Sequence, residues 1–62
     1  MNAFEYYRKR CGMSQQEVAT KLGLDQTAIS AWEMGKKMPR AERMPIIAAL
    51  FQCSIDDLYK MH

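Results

Sequence analysis

Apolar residues recur along this chain at the spacing of helix faces. Phe4, Tyr7, Arg8 and Cys11 fall at i, i+3, i+4 and i+7, and Met44, Ile47, Ala48 and Phe51 repeat that pattern. Between them, Val18, Ala19 and Leu22 make one short stripe, and Ile29, Trp32 and Glu33 make another. Ile55 and Leu58 supply a last apolar pair. The spacing predicts an all-α fold, a compact five-helix bundle, with helices over about 3–11, 15–22, 26–34, 42–51 and 55–61.

Start and stop signals sharpen these limits. Ser14 and Glu17 form a capping box in which each side chain can bond the other's backbone N–H. Asp25 is the expected N-cap of the third helix, and Ser54, with Asp57 three residues on, that of the fifth. Gly12 ends the first helix, and Gly23 stands just past the second, where a positive φ costs a residue with a Cβ about 1 kcal/mol. Gly35 closes the third. Pro45 must fall in the first turn of the fourth helix, where its missing N–H is harmless, so that helix starts at about Glu42 or later.

Two helices over 15–22 and 26–34, joined by a turn that contains Gly23, make a helix-turn-helix pattern. Helix 26–34 has two unlike sides. Ile29 and Trp32 face inward, and Trp32 reads as core, not as a base-stacking residue. Gln26, Thr27, Ser30 and Ala31 face outward, short, uncharged and rich in hydrogen-bonding groups. Such a face suits base edges in the major groove, where a Gln can bind adenine bidentately through N6 and N7. Two charged residues sit in otherwise inward stripes, Arg8 and Glu33. A buried Arg needs a partner, and Glu33 is the candidate.

The run Gly-Met-Ser-Gln-Gln-Glu-Val-Ala-Thr-Lys-Leu-Gly-Leu-Asp-Gln-Thr-Ala-Ile-Ser-Ala-Trp-Glu-Met-Gly-Lys-Lys-Met-Pro, from Gly12 to Pro39, resembles the Cro/C1-type (phage-repressor-like) helix-turn-helix family. The likeness continues to Leu58. It implies the lambda-repressor-like fold of one DNA-binding domain over residues 1–62. It also implies a double-stranded DNA partner, with helix 26–34 in the major groove, and a homodimer on an inverted repeat that acts as a repressor. It implies as well that Arg8 and Glu33 pair, and that Gln15 touches a phosphate and braces Gln26. Two positions depart from the family pattern: Met34 stands where a polar residue is common, and Gln52 where Gly is usual.

Charge adds detail to this picture. The formal net charge is only +2, but residues 1–43 hold eight of the nine basic residues and five of the seven acidic ones. Arg8, Lys9 and Arg10 form one run, and Lys36, Lys37, Arg40 and Arg43 another, and both flank the helix-turn-helix. Lys36, Lys37 and Arg40, together with the backbone N–H groups of their loop, are the expected phosphate clamp, along with Gln15 at the positive end of its helix.

The remaining features narrow the class. Sixty-two residues suffice for one thin core. No apolar run approaches the roughly 18 residues of a membrane span, and charged residues interrupt any leader-like segment, so the cytoplasm is the expected location. Cys11 and Cys53 read as reduced core thiols. The one His, His62, ends the chain, so no metal or other cofactor is expected. An enzyme is not expected either, because no interior His, nucleophile set or phosphate-binding glycine loop is present. Ile46, Leu50, Tyr59 and Met61 find no obvious place inside and are the candidate dimer face. The rival reading uses the same residues differently: an antitoxin or protein-interaction module whose main partner is another protein bound through the last two helices.

Overall fold

A computed structural model describes residues 2–60 of the chain. Its elements are α1 (Ala3–Arg10), α2 (Gln15–Leu22), α3 (Gln26–Glu33), a single 3-10 turn (Ala41–Arg43), α4 (Met44–Phe51) and α5 (Ile55–Lys60). The expected fifth-helix end at residue 61, and Met61 as a dimer residue, lie outside the described residues.

Local chemistry accounts for most of the helix starts. Asn2 Oδ1 accepts the Glu5 N–H at 3.1 Å, a cap that the apolar pattern did not reveal. The Ser14–Glu17 box is complete in both directions, at 3.0 and 2.9 Å. Ser54 and Asp57 form a second reciprocal box, with both bonds at 3.0 Å. Asp25 differs from expectation: its backbone is extended as in a cap, but its side chain makes no capping bond.

α1 and α3 each stop one residue short of the expected end. Cys11 and Met34 have ψ of −1° and −3°, which already turns the chain away from the helix axis. α4 begins later than expected, at Met44. A helix starting at Glu42 would need the residue 45 N–H to close its first turn, and Pro45 has none; the tighter turn Ala41–Arg43 fills the gap instead.

One core holds these elements together. Phe4 on α1, Val18 and Ala19 on α2, Ile29 and Trp32 on α3, Met44, Ile47, Ala48 and Phe51 on α4, and Leu58 on α5 are all buried. Each of the larger side chains contributes about 1.5–3 kcal/mol by leaving water. The Phe4 and Trp32 rings pack tilted, with centroids 5.9 Å apart. Ala3 is wholly buried as well, which no stripe predicted.

Three expectations about burial need correction. Ile55 is 38 % exposed, so Leu58 alone closes the core from α5. Leu50 is half-buried against the protein's own core, not left without a place inside. Tyr7, Leu22 and Cys11 are half-buried rather than interior. Cys11 and Cys53 are both free thiols, and the Cys11 Sγ donates to the Phe51 carbonyl at 3.2 Å.

α2 packs chiefly on α3, while α1 lies against both α3 and α5. α1 therefore braces the inner side of the helix pair and leaves its outer side open.

Candidate nucleic-acid interface

The turn between α2 and α3 depends on a backbone that only some residues tolerate. Gly23 has φ 70°, its N–H bonds the Thr20 carbonyl at 3.2 Å, and the Leu24 N–H bonds the Ala19 carbonyl at 2.9 Å. This is a Schellman ending. It turns the chain sharply enough for Asp25 to begin α3 directly. Gln26 and Thr27 then stand exposed at the start of α3, with Ser30 and Ala31 half-exposed one turn later. The four expected base-reading residues thus share the side of α3 that carries no core residue.

Beneath this surface runs a connected set of polar side chains. Arg8 donates through Nε and Nη2 to the two carboxylate oxygens of Glu33, at 2.5 and 3.0 Å, and through Nη1 to the Met13 carbonyl at 2.9 Å. Both side chains are buried, 10 % and 5 % exposed. The bond to Glu33 raises the Arg8 pKa above its ordinary value, so the guanidinium stays charged. Gln15 Nε2 donates to Glu33 Oε1 at 3.0 Å, and Gln26 Nε2 donates to Gln15 Oε1 at 3.2 Å. Among the described residues, every buried side-chain nitrogen or oxygen has a hydrogen-bond partner.

The α2 N-terminus lies next to this surface. The Glu17 N–H goes to Ser14 Oγ and the Val18 N–H to the Ser14 carbonyl. Among the described residues the N–H groups of Gln15 and Gln16 have no partner, at the end of the helix that favours an anion. Gln15 keeps one amide hydrogen beyond the one given to Glu33. The same reciprocal box holds the Glu17 carboxyl below its usual range, through the Ser14 N–H first and the Ser14 hydroxyl second.

The two basic runs have different fates. On α1, Arg8 is buried in its pair, Lys9 bonds Glu5 at 2.7 Å, and Arg10 donates to the Gln52 carbonyl at 3.2 Å while lying over the Tyr7 ring. Arg8 and Arg10 of that run thus tie α1 to other elements, and Lys9 is paired within α1. Lys36 and Lys37 are exposed and make no ion pair among the described residues. Arg40 is exposed and only 4.0 Å from Glu42, which dilutes its charge. Arg43 is turned inward, toward the Leu22 carbonyl at 3.4 Å.

The loop backbone departs from expectation. The N–H groups of Lys36 and Lys37 both fold back on the Ala31 carbonyl, at 2.9 and 3.4 Å, so the clamp there rests on side chains. Met34 is 61 % exposed beside them, and the Ser30 hydroxyl leans toward its sulfur at 3.6 Å. Asn2 was missed from sequence: its Nδ2 donates to the Trp32 carbonyl at 2.6 Å and ties the chain start to the end of α3. An Asn before a helical stripe signals its cap, but nothing in the sequence points to that distant carbonyl.

Comparison with known proteins agrees with this geometry. A family model described as helix-turn-helix matches residues 4–58. The transcriptional activator BcrR of Enterococcus faecalis is 39 % identical over 46 residues, 74 % of this chain but only 22 % of the relative. A helix-turn-helix transcriptional regulator of Methanocaldococcus jannaschii, itself uncharacterised, is 34 % identical over 58 residues, 94 % of this chain and 88 % of the relative. The chain thus spans about a fifth of the first relative and most of the second. No solved structure gives a significant match.

Proposed function

This chain belongs to the Cro/C1-type helix-turn-helix family of transcription regulators, and from that premise we propose that it is a sequence-specific binder of double-stranded DNA that acts as a repressor. α3 enters the major groove. Gln26 reads an adenine, Thr27 offers its methyl or hydroxyl to a neighbouring base, and Ser30 and Ala31 lie against the next bases or the backbone. Gln15 and the open α2 N-terminus take one phosphate, and Lys36, Lys37 and Arg40 take others.

The observation that carries this reading is the uncharged outer face of α3, set between a helix N-terminus and two exposed lysines that have no partner among the described residues. A face that served only solubility would carry charge. A face that only gripped phosphates would carry more than the uncharged Gln26 and Thr27 at its tip.

The domain measures 24 × 23 × 22 Å, which allows two copies side by side on half-sites about 34–36 Å apart. Ile46 at 58 % and Tyr59 at 48 % exposure are the residues that support a homodimer through α4 and α5. The same two residues support a protein partner as the alternative, and co-purification of a second polypeptide in stoichiometric amount would favour it.

Selection of binding sites from random duplex DNA, followed by affinity against salt, tests the proposal. An enriched inverted repeat with one helical turn between half-site centres is expected. A salt-dependent affinity without any enriched sequence would leave only a basic surface. Because BcrR is an activator, the direction of regulation is tested separately, with a promoter carrying the selected site ahead of a reporter; lower output in the presence of the protein is expected.

A further inference from the structure

The polar chain from Arg8 to Gln26 does more than hold the bundle together. An amide side chain has an accepting and a donating side of nearly equal size, and an isolated surface Gln turns either way at little cost. Gln26 is exposed, so by itself it would present its oxygen and its nitrogen in either order.

Its neighbours remove that freedom. Glu33, gripped at both oxygens by Arg8, has only acceptors to offer. Gln15 must therefore turn Nε2 toward it, which leaves Gln15 Oε1 pointing to α3. Gln26 must answer with Nε2. One Gln26 amide hydrogen is then committed to Gln15, while Oε1 and the second hydrogen remain for a ligand in one fixed order.

Adenine presents a donor at N6 and an acceptor at N7, also in fixed order along the groove edge. We infer that Glu33 is a positioning residue for base recognition: through the Gln15 amide, it sets the order in which Gln26 offers its acceptor and donor to an adenine. The Glu33 side chain, only 5 % exposed, reads no base itself. Its buried carboxylate is the polarity source of the relay, and Arg8 holds it in place through both oxygens. This rests on the reading that α3 enters the major groove.

Two substitutions separate this role from a purely structural one. Glu33→Gln can donate as well as accept, so it no longer dictates which way Gln15 faces. Gln15→Met breaks the relay but keeps the Arg8–Glu33 pair, and it carries the test if Glu33→Gln proves too unstable to fold. Loss of the relay leaves both orders of Gln26 populated and an additional side chain to immobilise on binding. The expected result is a relaxation of about three- to tenfold in the preference for adenine at the Gln26 base pair.

The experiment is the site selection repeated with each folded variant, together with the NMR signals of the Gln26 side-chain amide in the free protein. The expected outcome is relaxed preference at that one base pair, unchanged preference elsewhere, and Gln26 amide signals displaced in both variants. Weaker binding with every base preference intact, or Gln26 signals that do not move, would overturn the relay and leave the DNA reading standing. Failure of the unaltered protein to select any sequence would remove the DNA reading, and this inference with it.

Discussion

At the residue scale, two side chains in the proposed interface should fail in different ways. Gln26→Ala removes a base contact and should weaken binding to the selected site by about 1–3 kcal/mol, with little change on scrambled DNA. Lys36→Ala removes only charge, so the loss should be shared by all sequences and the salt slope should become shallower by about 1. Titrations of both variants on both DNAs, at several salt concentrations, check the pair. Equal losses for Gln26→Ala on the two DNAs would end its base-reading role. Gln52 gives a prediction of the opposite sign. It is the one non-glycine residue with positive φ among those described, at 56°, and it is exposed. Gln52→Gly should therefore raise stability, by up to about 1 kcal/mol after the entropic cost of glycine, measured as the denaturant midpoint at unchanged slope.

At the scale of elements, a repeated ending organises the molecule. α1, α2 and α3 all finish with a left-handed glycine and a pair of bonds back to the last turn, and α4 finishes the same way at Gln52. The bond pattern belongs to the ending itself, not to glycine. That is why Gln52, a departure from the family pattern, leaves the turn unchanged and adds only strain. Helix starts are linked to pH. The Ser14 and Ser54 backbone N–H groups, and then their hydroxyls, hold Glu17 and Asp57 below the usual carboxylate range. The Lys9 ammonium does the same for Glu5. A lowered carboxyl pKa contributes stability that is complete above the ordinary value and disappears as pH falls through the folded one. Melting temperature should therefore fall on acidification below the ordinary carboxylate range. The double variant Glu17→Gln, Asp57→Asn should show a shallower fall, with the part due to Glu5 remaining. An unchanged acid limb in thermal melts followed by circular dichroism would show that the caps do not couple to folding.

At the scale of the whole molecule, stability is thin, and it rests on one ionic contact as well as on the core. A chain of this length has roughly 3–9 kcal/mol to lose. Arg8→Ala leaves the Glu33 carboxylate buried without its counter-charge and should cost about 3–5 kcal/mol, enough to unfold much of the population at ambient temperature. Arg8→Met with Glu33→Leu should cost less than Arg8→Ala alone, because no unpaired charge stays inside. Chemical denaturation of both variants decides this, and a double variant less stable than the single one would contradict it. Assembly is the other question at this scale. Ile46→Glu should leave the monomer's melting temperature unchanged, since Ile46 is 58 % exposed, and should abolish any dimer seen by sedimentation on selected DNA.

Much of this protein was already determined by its sequence. The stripes Phe4 to Cys11 and Met44 to Phe51, the Ser14–Glu17 box, Gly23 and the Gly12–Pro39 motif are local signals, each acting within a turn or two of itself. They suffice for helix number, helix order and family. The tertiary structure decided what depends on residues far apart in the chain. Asn2 caps α1 and also meets the Trp32 carbonyl, 30 residues away. Lys9 and Arg10 read as free charge, but one is neutralised within α1 and the other is held by a carbonyl at the end of α4. The Lys36 and Lys37 N–H groups read as a phosphate clamp, but the ending of α3 folds them onto Ala31. Most informative is the orientation of Gln26. Its outward position follows from helical spacing, but the direction of its amide follows from a carboxylate seven residues later, through a side chain on another helix. Sequence periodicity carries the face on which a side chain lies. It carries no information on the polarity of a hydrogen bond relayed across helices, because that is set by the chemistry of whichever groups folding brings together.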